Sequence, residues 1–117
     1  MIRKLGDRTV VLEEKLRGGE LTTTVSKFLQ PDEVYGKCKL LAVNTLPKGA
    51  SIGFHQHVGE FEIYLISKGK GIVTETDRSE HELSEGDIML CKDGDWHAIR
   101  NECDQDLEFV AMVIFNN

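Results

Sequence analysis

Four residues of this chain are best suited to chemistry: His55 and His57, one residue apart, then Glu62 and the distant His97. A strand points residues i and i+2 to one face about 6.7 Å apart. Both imidazoles of "HQH" can therefore aim at one point, each reaching a zinc-like ion at about 2.0–2.1 Å. Imidazoles with one carboxylate suit zinc, iron, manganese, nickel or copper, whereas calcium prefers oxygen donors. Glu62 lies five positions after His57, and on an unbroken strand an odd offset faces the wrong way. Gly59 stands between them and can reset the parity by a turn or bulge. Glu60 shares the parity of Glu62 and is the runner-up carboxylate. Gln56 alternates outward, to a rim position. His81, in "SEHELSEGD", lacks partners of this kind and is expected to be an exposed strand residue.

Such a site needs strands to hold it, and strand signals dominate. "TVVLEEKL", "RGG" and "ELTTTVSKFL" read as a hairpin in which Gly18 and Gly19 supply positive φ. "GKCKLLAVNTL" ends at a "PKGA" turn, and "SIGFHQH", "EFEIYLISKG", "GIVTETD" and "HELSEGD" follow. "DIMLCK", a "DGD" turn, "WHAIRN" and "LEFVAMVIF" complete a set of roughly nine to eleven short strands, the spacing of a sandwich or barrel. Only "QPDEVYG" suggests a helical turn. In "EFEIYLI" and "LEFVAMVIF" both faces are largely apolar, and both must be covered. The outer cover is expected to be the N-terminal hairpin, within residues 1–30, or a second subunit, with an isologous homodimer as the default.

Composition narrows the partners. At 117 residues the chain is expected to be a single domain, 1–117, with one modest core. A net charge of -6 with scattered basic residues argues against nucleic acid. No segment approaches a membrane span, and the N-terminus lacks the apolar region of a secretion signal. Cys38, Cys91 and Cys103 are odd in number and show no CxxC spacing. Reduced, structural thiols in the cytoplasm are expected.

From Gly49 to Gly69 the sequence reads G-x5-HxH-x4-E-x6-G, as "GASIGFHQHVGEFEIYLISKG". From Gly86 to Asn101 it reads "GDIMLCKDGDWHAIRN". These stretches resemble, in order, the two motifs of the cupin superfamily, the second being G-x5-PxG-x2-H-x3-N. The resemblance implies an all-β double-stranded β-helix, or jelly-roll barrel. It also places His55, His57, Glu62 and His97 on the superfamily's metal-binding positions, for one divalent transition metal ion. Lys92 stands where the second motif has proline, so a softer loop beside an intact site is expected.

Three histidines and one glutamate leave one or two open positions on such an ion, as a catalytic or ligand-binding metal requires. Cupins perform dioxygenation, decarboxylation, isomerisation and simple ligand binding, so the resemblance selects no reaction. The readings are a metal-dependent small-molecule enzyme of dioxygenase, decarboxylase or isomerase type, a non-catalytic binding or sensing module, and a structural barrel. Tyr64 and Ile66 share the face of Glu62, and Asn101 that of His97; all three are candidate pocket residues. With no arginine cluster or glycine-rich phosphate loop in sight, the expected ligand is a small carboxylate, carbonyl or polyol.

Overall fold

The computed structural model describes residues 1–117. Ten strands run in chain order: β1 (Thr9–Glu14), β2 (Thr22–Leu29), β3 (Cys38–Leu46), β4 (Ser51–Gln56) and β5 (Glu60–Lys68), then β6 (Gly71–Thr74), β7 (Glu80–Leu83), β8 (Ile88–Cys91), β9 (Trp96–Arg100) and β10 (Leu107–Phe115). They form two antiparallel sheets, a six-stranded one ordered β1-β2-β3-β10-β5-β8 and a four-stranded one ordered β4-β9-β6-β7. This is the double-sheet jelly roll expected. The "QPDEVYG" stretch supplies one 3-10 turn, Pro31–Val34. No helix is long and apolar enough to cross a membrane.

Period-two alternation sets which side chains meet between the sheets. Along β10, Leu107, Phe109, Ala111 and Val113 are buried while the residues between them are half-buried. Leu107, Phe109 and Ala111 pack with Leu46, Ile52, Ile66 and Ile99 from both sheets into one core, while Val113 lines the cavity described below. Fully burying one such side chain contributes about 1.5–3 kcal/mol.

The N-terminal hairpin does not lie over the outer face. β2 pairs edge-to-edge with β3 and extends the six-stranded sheet, which leaves Leu65, Ile88 and Leu90 exposed on the outer face along β5 and β8. Register explains why that face is apolar. Val43, Val110, Leu65 and Ile88 form one row across β3, β10, β5 and β8, and Leu41, Met112, Ile63 and Leu90 form the next.

The hairpin connection also departs from expectation. Gly18 has positive φ (79°), but Gly19 is extended at φ -76°. Gly19 is needed for space instead: a Cβ there would sit 2.1 Å from the Ser51 carbonyl oxygen. Left-handed conformations fall on Lys15, Arg17 and Leu21.

Candidate metal centre

His55 and His97 stand opposite each other in register across β4 and β9, with ring centroids 4.7 Å apart. A register shift between Ile52 and His55 lets both of these odd-spaced residues face inward. His57 follows the end of β4. Its N–H donates to the Asp95 carbonyl at 3.1 Å, and its own carbonyl accepts from the Gly94 N–H at 2.6 Å. Gly59 then turns the chain with φ 75° and brings Glu62 of β5 to the same point. Nothing crowds the position of a Cβ at Gly59, so conformation rather than space calls for glycine. One donor atom from each of His55, His57, Glu62 and His97 lies within 4.8 Å of all the others, and all four residues are buried.

The hydrogen bonds around the cluster decide what it can hold. His55 Nδ1 lies 2.6 Å from the Gly53 carbonyl oxygen, and His57 Nδ1 lies 2.5 Å from Glu60 Oε2. Both partners accept, so each neutral ring carries its proton on Nδ1 and presents a lone pair at Nε2. His57 Nε2 lies 2.9 Å from Glu62 Oε1 and 3.1 Å from His97 Nε2, which is itself 3.0 Å from the same oxygen. Converging acceptors repel in a buried place unless a proton or cation stands among them. One divalent transition metal ion would satisfy all four, so the donor set fits such an ion.

Without a cation, protons fill the gap. Burial lowers the pKa of His57, but hydrogen bonds to Glu62 and Glu60 outweigh it and the net shift is upward. His97 is shifted down, chiefly by burial. Burial alone would raise Glu62, yet hydrogen bonding from His55, His57 and His97 holds its carboxyl well below the usual range.

The remaining predicted residues have diverse placements. Tyr64 is buried and stacks on His97, with centroids 4.8 Å apart and planes 17° apart. It also lines the cavity described below. Burial, then the Glu62 charge, pushes its phenol well above the ordinary value, so it stays neutral. The His97 Nδ1 has no hydrogen-bond partner, and the Tyr64 stack is what orients this ring. Ile66 belongs to the apolar core rather than the cavity wall. Asn101 is a loop clamp and not a pocket residue. Its amide donates to the carbonyls of Leu46 (2.8 Å) and Gln105 (2.9 Å), and its oxygen accepts from the Cys103 N–H. Glu60 is turned away from the converging donors, toward His57 Nδ1 and Lys39 Nζ (3.3 Å). Gln56 is exposed and donates to the Gly94 carbonyl; His81 is exposed beside Glu75.

Lys92 does not leave a loose loop. Its N–H donates to Asp95 Oδ2 at 3.3 Å, a bond that proline could not make. Asp93 accepts from the Gly59 N–H (2.8 Å) and from the Asn116 amide (3.0 Å), tying the turn to both neighbours.

His55, His57 and Glu62 open onto a cavity of about 280 Å³. Its other walls are more polar than an apolar barrel with no arginine cluster would suggest: Glu13, Arg17, Lys27, Lys39 and Asn44 line it. These residues come from β1, β2, β3 and the hairpin connection, outside both motifs. Inward parity along β2 offered the one sequence signal, since Lys27 shares the face of Val25, which is buried.

A sequence profile described as Cupin domain matches residues 42–115, which contain both histidine motifs. The chain belongs to the cupin family. A Thermotoga maritima protein named oxalate-binding protein is 35% identical to this cupin over 99 residues, 85% of this chain and 81% of its own. The crystal structure of a "predicted oxalate decarboxylase" from Thermotoga maritima superposes with a TM-score of 0.94 at 32% identity, covering 99% of this cupin and all of that chain. A cupin-superfamily sugar phosphate isomerase from Silicibacter pomeroyi is 17% identical, with a TM-score of 0.78 over 99% of this chain and 76% of its own. That last likeness is one of fold alone.

Proposed function

We propose that this cupin binds a small dicarboxylate of oxalate's size through one divalent transition metal ion (zinc, iron, manganese or nickel) held by His55, His57, Glu62 and His97. The observation that carries the proposal is the convergence of four buried donor atoms beside a cavity walled by Arg17, Lys27 and Lys39. When bound, such an ion supplies open positions for carboxylate oxygens. The volume, about 280 Å³, lies just below the ~300 Å³ at which ligand sites ordinarily begin, which suits a ligand as small as oxalate. The name of the Thermotoga maritima relative supports the same ligand class.

Binding without turnover is the form of this function that the side chains favour. Cleaving a dicarboxylate needs an acid to deliver a proton to the carbon left behind. Glu60 is committed to His57 and Lys39, and Glu13 is exposed. The test is calorimetry of metal-replete protein with oxalate, together with a formate assay. One-to-one binding that disappears on metal removal is the expected result. Absence of oxalate binding by metal-replete protein would overturn the proposal, and formate release would make the protein a decarboxylase.

The open face of the six-stranded sheet is proposed as the surface of a homodimer. Its two apolar rows include Leu65 at 38%, Ile88 at 60% and Leu90 at 43% exposure, large apolar side chains set side by side on β5 and β8. Light scattering on a sizing column should give twice the chain mass, and Ile88→Glu should halve it; a monomeric wild type refutes the dimer. The free thiols of Cys38, Cys91 and Cys103 support a reducing, cytoplasmic setting.

A further inference from the structure

Residues 15–21, which join β1 to β2, hold three non-glycine residues in the left-handed region: Lys15, Arg17 and Leu21. L side chains rarely adopt this conformation, and it persists only where the surroundings over-determine it. Here the fixing is by backbone. A Cβ on Gly53 would lie 2.1 Å from the Arg17 carbonyl oxygen, and one on Gly19 equally close to that of Ser51. The Ser51 N–H donates to the Glu20 carbonyl at 3.0 Å, and Ser51 Oγ accepts from the Glu20 N–H at 2.8 Å. This connection is therefore stitched to β4 at Ser51 and packs closely on Gly53, whose carbonyl also orients His55. One short piece of β4 positions both a metal-site histidine and Arg17.

Arg17 lines the cavity from its exposed rim. Neither Arg17 nor Lys27 takes part in an ion pair, whereas Lys39 is paired with Glu60. On the same wall Asn44 is 3% exposed, and its amide oxygen has no hydrogen-bond partner. A buried polar group left unpaired is costly and calls for a partner. The cavity thus holds unpaired cations and an unsatisfied amide, apart from the four converging donors.

We infer that Arg17 is the specificity-determining residue of the cavity, receiving the carboxylate of a dicarboxylate ligand that lies farther from the metal position. This rests on the dicarboxylate reading above and deepens it. A monocarboxylate that used the open metal positions would leave the guanidinium unpaired. A second carboxylate at the far end of the ligand meets its planar fork. Asn44, by turning its amide, adds a neutral donor or acceptor beside it.

The test compares metal-replete wild type with Arg17→Met and Arg17→Lys. It measures metal content by elemental analysis, oxalate affinity by calorimetry, and acetate affinity by competition against oxalate. Arg17→Met should keep full metal and unchanged acetate affinity while losing about 10- to 100-fold for oxalate. Arg17→Lys, which keeps the charge and lacks the fork, should recover part of that loss. Wild-type oxalate affinity in Arg17→Met overturns the inference, as does an equal loss for acetate or a larger oxalate loss in Lys27→Met. A metal-replete wild type that binds no oxalate fails at the earlier step, removing the dicarboxylate reading and this inference with it.

Discussion

Metal-loaded protein should melt about 15 °C above the same protein stripped by a chelator, and His57→Ala should show almost no such difference. The cluster assembles only in the folded chain, because His55, His57, Glu62 and His97 come from β4, its end, β5 and β9. An ion that binds the native state alone stabilises it by about 4 kcal/mol when present at a thousandfold excess over its dissociation constant. For a domain of this size each kcal/mol moves the melting temperature by about 4 °C. His57→Ala removes a donor that faces both Glu62 and His97. It also strips Glu60 of its closest partner and leaves it only Lys39. The metal-free variant will therefore melt lower on its own account, and the decisive quantity is the difference on adding metal. Glu62→Ala should give the same flat response for a different reason, since it removes the one anionic donor. Scanning calorimetry with and without metal measures both. A large metal-dependent shift surviving in both variants would place the ion elsewhere.

The strands, and the turn that lets Glu62 join His57, could be read from the sequence because they follow from local rules; the jelly roll and the place of His97 in the site came with the resemblance to the cupin motifs. Short apolar runs such as "LEFVAMVIF" and "EFEIYLI", bounded by turn residues, read as strands whatever their neighbours, and Gly59 marked the parity break between His57 and Glu62. What local rules cannot supply is which strands become neighbours. The hairpin was legible as a hairpin, yet its edge-to-edge pairing with β3 is a long-range choice. That pairing is what brings Lys27 to the cavity. Arg17 was hidden twice over, in a loop and in a backbone conformation that arginine rarely adopts. Gly19 and Gly53 looked like ordinary turn and strand glycines; their value lies in a contact between segments more than thirty positions apart. Asn101 shows the opposite error. Its parity with His97 suggested a pocket residue, but β9 ends there and the amide serves the loop. Shared parity promises a shared face only while the strand continues.

Acidification should release the metal steeply, with apparent affinity falling by up to about 100-fold per pH unit at the acid end of the histidine range as His57 and His97 protonate. Every imidazole that binds the ion must do so unprotonated, so protons compete with the metal for the same Nε2 lone pairs. The order of that competition follows from the metal-free site. Glu62 and Glu60 raise the pKa of His57 against the effect of burial, so its proton is the first to interfere as pH falls. Burial lowers that of His97, which stays available to the metal to a lower pH. Glu62 is held well below the usual carboxylate range and remains charged throughout, so it does not contribute to the slope. Affinity plotted against pH on logarithmic axes should thus be flat above the His57 transition. It should take a slope near one below that, and steepen toward two as His97 protonates at lower pH. Glu60→Gln supplies the control. Removing the Glu60 charge lowers the His57 pKa and should move the first bend to lower pH. On the plateau, loss of the carboxylate that orients the His57 ring should cost about 10- to 100-fold in affinity. Competition titrations against a chromophoric chelator from about pH 5 to pH 8 span the histidine range. A pH-independent affinity would remove the histidines from the coordination sphere. A first bend unmoved in Glu60→Gln would remove Glu60 from the control of His57.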